Sequence, residues 1–111
     1  MSTIKVDTIK NTSNVEVYTC KAWVNFRGTS TVAIRASGNV SSVTDSGTGI
    51  YVVNFATAIT DANYSTVVTC EQAEFAGMGS PTTSSITVHC VTRQDSLSRV
   101  DNDFMNVAVF R

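Results

Sequence analysis

The sequence predicts an all-β fold: a small antiparallel β-sandwich, jelly-roll-like, preceded by an N-terminal β arm. Composition is the first reason, because 16 Val, 6 Ile and 16 Thr stand against a single Leu, Leu97. β-Branched side chains are stiff at χ1 and suit a pleated surface better than a helix. The second reason is periodicity, since apolar residues recur at every second position in short runs divided by Gly, Ser, Asn and Asp. Length is the third: 111 residues make one domain and leave no room for a separate cofactor-binding half.

Taken in order, residues 1–19 form an arm for attachment or oligomerisation, and residues 20–111 form the sandwich knob. In the arm, Ile4, Val6, Ile9, Val15 and Val17 alternate with polar residues around a turn at Asn11 to Asn14. That is too little apolar surface for a core of its own, so the arm must dock on something else. Strands are predicted over Cys20 to Arg27, Thr31 to Ser37, Asn39 to Thr44, Gly49 to Phe55, Tyr64 to Glu71, Ser84 to Thr92 and Asp103 to Phe110. Arg27 to Ser30 and Asp45 to Gly49 have the Gly, Asp and Ser content of hairpin turns. Gln72 to Thr83 and Gln94 to Asn102 lack periodicity and read as the two loops most free to bind something.

Charge narrows the class of partner. Eight basic and nine acidic residues give a net charge of -1, and the cations are scattered among acids. Nucleic-acid binding needs a basic face that releases counterions, and none is expected here. No run reaches the ~18 apolar residues of a membrane-spanning helix, so no membrane insertion is expected. The opening residues carry no basic segment followed by an apolar one, which predicts synthesis in a cytoplasm. Three cysteines, Cys20, Cys70 and Cys90, are an odd number for a disulfide framework and read as buried thiols. A Cys70 to Cys90 bridge is the alternative.

Chemistry-bearing residues are sparse. His89 and Cys90 are strand neighbours that point to opposite faces, so they cannot act as a pair, and His89 reads as a surface or interfacial residue. No Gly-x-Ser-x-Gly elbow is present, and Gly47-x-Gly49 leads into a strand rather than a helix. Glu71 and Glu74 read as solvated loop charges. Asp95, Asp101 and Asp103 near Arg93 and Arg99 read as salt-bridged loop ends. The expectation is a protein that is not an enzyme, with no catalytic residues, no metal and no cofactor.

The stretch Lys21-Ala22-Trp23-Val24-Asn25-Phe26-Arg27-Gly28-Thr29, followed by Val32-Ala33-Ile34-Arg35-Ala36-Ser37, resembles a domain recurrent in tailed-phage proteins, especially marine and cyanophage ones. Asn39 to Gly49, Tyr51-Val52-Val53-Asn54-Phe55 and Asp61-Ala62-Asn63-Tyr64 extend the resemblance to about Val68, with a looser match at Val107-Ala108-Val109-Phe110. Ser2 to Ile9 also resembles the N-terminus of phage fibre-like proteins. The resemblance implies a virion structural protein made in the host cytoplasm: a tail-fibre knob, head or tail appendage, or decoration subunit, usually a homotrimer. No catalytic residues come with it. The domain starts almost at the N-terminus here, which favours a compact knob over a long fibre.

Candidate sites follow from the strand faces. Trp23 lies on the polar side of its strand, and Tyr51, Val53, Phe55, Val107 and Val109 lie in strands that are apolar on both faces. All six are candidates for an oligomer interface. Ile4, Val6 and Ile9 are candidates for virion attachment. Glu74, Phe75 and Met78 are candidates for receptor contact, with host-surface glycan as the expected ligand. The expected partners are therefore copies of the chain, other virion proteins and host glycan. The alternative is a free carbohydrate-binding, lectin-like module, with a small hydrolase third.

Overall fold

The computed structural model describes residues 2–71, 75–92 and 98–111. It is all-β, with eight strands: β1 (Cys20–Arg27), β2 (Ala33–Gly38), β3 (Val40–Gly47), β4 (Ile50–Phe55), β5 (Ser65–Cys70), β6 (Phe75–Gly79), β7 (Ser85–Val91) and β8 (Met105–Phe110). They form two four-stranded antiparallel sheets, sheet I in the order β2-β1-β8-β5 and sheet II in the order β3-β4-β7-β6. The turns expected after β1 and β3 are both hairpin connections within a sheet. Strand β6 falls inside the stretch expected to be a loop. Its Gly77 and Gly79 give no apolar alternation, and it is an edge strand that pairs only with β7.

The inner faces of the two sheets supply the core. Ala22, Val24 and Phe26 of β1 meet Met105, Val107 and Val109 of β8 on one side, and Tyr51, Val53, Phe55, Ile86, Val88 and Cys90 on the other. The expectation for Tyr51, Val53, Phe55, Val107 and Val109 is thereby corrected. All five are enclosed within one chain, at most 7% exposed, and so cannot meet a second protomer. In strands apolar on both faces, parity alone does not say which face is inside. Burial of the larger set, Tyr51, Val53 and Phe55, leaves Ile50 and Val52 outward and only half-buried. Two edge-to-face pairs lock the aromatic packing: Phe26 with Tyr51 at 5.2 Å between centroids, and Phe55 with Tyr64 at 5.8 Å.

Polar groups at the ends of the sandwich fix how the chain passes between sheets. Asn39, at φ 55°, is the single residue between β2 and β3 and turns the chain from sheet I to sheet II. Its Nδ2 donates to the carbonyls of Lys21 and Thr57, both at 3.0 Å, and its Oδ1 accepts the Thr57 N–H at 2.7 Å. At the opposite end the Tyr51 hydroxyl lies 2.9 Å from both the Gly28 carbonyl and Asp101 Oδ1, and Asp101 also accepts the Gly49 N–H. Gly49 has φ 65°, and a Cβ there would stand 2.5 Å from the Cys90 carbonyl oxygen, so the turn requires glycine.

The arm contributes nothing to this core. Asn11 Oδ1 accepts the N–H groups of Ser13 and Val15, and the Val17 N–H donates to the Ile9 carbonyl, closing the expected turn as a small hairpin tip. Residues 2–19 are exposed throughout.

Candidate functional site

The outer face of sheet I is built by register. Trp23 stands opposite Ala108, and Ala108 opposite Val67, so these three make one row across β1, β8 and β5. One step along the strands, Asn25, Asn106 and Thr69 make a second row that is wholly polar. Because side chains alternate, both rows face away from the core. A shallow groove of about 300 Å³ runs between them, with Ala108 as its floor and Trp23 and Val67 as its apolar walls. Gly38 on β2 lets the indole lie against the sheet, since a Cβ there would collide with Trp23 Nε1. Trp23 keeps 43% of its surface exposed and Val67 54%.

A β-bulge extends the face. Asn25 pairs with Ala36 while Phe26 pairs with Ile34, so Arg35 is the extra residue of β2. Its guanidinium donates to Asn25 Oδ1 at 3.3 Å, lies 4.0 Å over the Phe104 ring and pairs with Asp103 at 3.5 Å. Thr29 Oγ1 donates to the other oxygen of Asp103. Phe104 and Phe110, about 40% exposed, flank the two ends of β8 on this side. The face therefore combines an exposed indole, two exposed phenyl rings and a row of amide and hydroxyl groups.

Elsewhere the predicted residues are dispersed. Ile4, Val6 and Ile9 lie exposed on the arm, at 89%, 57% and 47%. Glu74 lies outside the described residues. Phe75 and Met78 sit on β6 rather than in a loop, and their odd spacing corrects the idea of one shared patch. Phe75 pairs with the outward Val91, whereas Met78 pairs with the inward Val88. His89 projects from the outer side of β7 opposite Gly77, and burial pushes its imidazole below the usual range, with Arg99 adding to the shift. Asp101 is held by Tyr51 and Gly49 and Asp103 by Arg35 and Thr29, so the loop-end ion pairs expected with Arg99 are not formed by these two; Arg93 and Asp95 lie outside the described residues. Asp61 instead receives both Nε and Nη2 of Arg111, at 2.9 and 2.8 Å. That pairing, followed by the Asn63 N–H, holds the Asp61 carboxyl at about 2.

The cysteines divide three ways. Cys20 is exposed, because a bulge between Cys20 and Ala22 breaks the alternation that would have turned it inward. Cys90 is buried and Cys70 half-buried, facing each other between the sheets. Among the described residues no group of three or more His, Cys, Asp or Glu is placed to hold a metal ion.

Of the outer face, sequence reasoning found Trp23 and missed Val67, Asn106 and Thr69. The signal for Asn25 and for Phe104, Ala108 and Phe110 was present in the parity of β1 and β8. What parity could not supply was that β8 lies between β1 and β5. Compared with protein-family models, curated proteins and solved structures, the chain matches none of them.

Proposed function

We propose that the chain is a non-catalytic virion structural protein of a tailed phage, a knob-type appendage or decoration subunit that assembles as a homotrimer. One observation carries the reading: the large apolar side chains outside the core gather mainly on the arm and on the outer face of sheet I. The arm exposes Ile4, Val6, Ile9, Val15, Val17 and Tyr18, and the face exposes Trp23, Val67, Phe104 and Phe110. Apolar area of this kind is what a permanent assembly buries. In this reading the Trp23 face meets a second copy and the arm meets another virion protein. Host contact then falls to the β6 edge, where Phe75 is 51% exposed.

Labelling virions of the encoding phage with an antibody against the sandwich tests the assignment. Discrete labelling at the head, neck or tail supports it, and particles that lack the chain overturn it.

A second reading is favoured by the same groove. An indole beside Asn25, Asn106 and Thr69 offers a sugar ring both stacking and hydrogen bonds, as a free carbohydrate-binding module would. The Trp23→Ala variant separates the two. Loss of self-association supports the appendage, whereas a wild-type monomer whose glycan-array signal vanishes in the variant supports the lectin.

A further inference from the structure

The last residue of β5 and the last but one of β7 bring two thiols together from opposite sheets. Cys90 Sγ–H donates to Cys70 Sγ at 3.2 Å, although the two residues are 20 apart in sequence and no backbone ladder joins their strands. Both occupy inward positions: Cys70 follows Thr66 and Val68 on β5, and Cys90 follows Ile86 and Val88 on β7. Cys90 is fully buried, while Cys70, the last residue of an edge strand, is half-buried. One partner is thus within reach of a small oxidant, and the other is within reach of the first.

We infer that Cys70 and Cys90 are an oxidisable pair that closes into a disulfide between the two sheets when the protein leaves a reducing compartment. The oxidant is a small-molecule disulfide such as oxidised glutathione. The Cys70 thiolate, having lost its proton to solvent, attacks one sulfur of the oxidant and expels a glutathione thiolate. The Cys90 thiolate then attacks the Cys70 sulfur of the mixed disulfide and expels the second glutathione. Two protein thiols are oxidised, one glutathione disulfide is reduced, and the two protons released protonate the two leaving thiolates. Closing the contact to the ~2.05 Å of an S–S bond requires an approach of about 1 Å.

The consequence is mechanical. Sheet I and sheet II are otherwise joined by packing, by hydrogen bonds at the ends of the sandwich such as Tyr51 Oη to the Gly28 carbonyl, and by the chain segments that cross between them. A Cys70–Cys90 bond fastens the edge strand β5 to β7 and encloses β6 within its loop. The inference does not depend on the proposed function, because any β-sandwich with this pair would behave in the same way.

The test uses the full chain carrying Cys20→Ser, which removes the exposed thiol and leaves the core untouched. After incubation of the folded protein with oxidised glutathione, accessible thiols counted in denaturant should fall from two per chain to none. Peptide mapping should recover Cys70 linked to Cys90, and Tm should rise on the order of 10 °C over the reduced form. The rise should vanish on adding dithiothreitol. The further change Cys70→Ser at an edge position should leave a folded protein whose Tm ignores the oxidant. Two thiols persisting, or a stable glutathione adduct on Cys70 with Cys90 still reduced, would overturn the inference.

Discussion

Asn39 does at one position what longer loops do in other sandwiches. Its left-handed backbone turns the corner between the sheets, and its side-chain amide ties that corner to Lys21 on one side and Thr57 on the other. An alanine there loses three hydrogen bonds and adds strain at positive φ, so Asn39→Ala should lower stability by about 2 kcal/mol in urea titration. Asn39→Gly, which relieves the strain, should cost less. Thr66 shows the opposite case. It faces inward on β5 opposite Val109, and its Oγ1 is buried with no hydrogen-bond partner. Thr66→Val removes that unpaired hydroxyl at nearly constant shape and should raise stability by about 1 kcal/mol in the same titration. Neither role was legible in the sequence. Asn39 reads as an ordinary strand start, and Thr66 as one more β-branched residue, until the packing partners are known.

At the scale of elements, the sandwich and the arm answer to different physics. The central strands share an inner face between the sheets, the edge strands β2 and β6 hold on through their ladders to β1 and β7, and the arm is held by a few local hydrogen bonds around Asn11. Deleting residues 2–19 should therefore leave the β-sheet circular dichroism and the unfolding midpoint of the sandwich within experimental error, and under the proposed function it should abolish attachment to other virion proteins. An unfolded product would mean that the arm belongs to the core. Seven of the eight strands could be read from alternation, because a half-buried strand writes its period directly into the sequence. β6 could not, since Phe75-Ala76-Gly77-Met78-Gly79 gains its strand character from β7 and not from its own residues. The same limit hid the outer groove. Trp23 and Val67 share a row only because Ala108 of β8, far along the chain, comes between them.

Over the whole molecule, two ionisable groups add to the pH dependence of stability from opposite ends, the exposed Asp61 pair weakly and the buried Tyr51 more strongly. The Arg111 guanidinium and the Asn63 N–H hold the Asp61 carboxyl at about 2, below the usual ~3.9. The stability this pair contributes is complete above the ordinary value and is lost as pH falls toward the folded one. Burial, and then the hydrogen bond to Asp101, hold the Tyr51 phenol well above its usual ~10. Its contribution is present below pH ~10 and fades as the medium becomes more alkaline. Equilibrium unfolding followed across pH should therefore show Asp61→Asn flattening the acid limb and Tyr51→Phe flattening the alkaline one.

The abundance of β-branched residues takes a different meaning at this scale. The core absorbs the apolar faces expected to bind copies of the chain, and what remains for assembly is a smaller set on the arm and around Trp23. Self-association through that set is read from the molar mass of the full chain in solution, by light scattering coupled to size exclusion. The expected species has three times the 11.9 kDa chain mass and is reduced to a single chain by Trp23→Ala combined with Val67→Asp. A wild-type protein that runs as one 11.9 kDa chain at every concentration contradicts it.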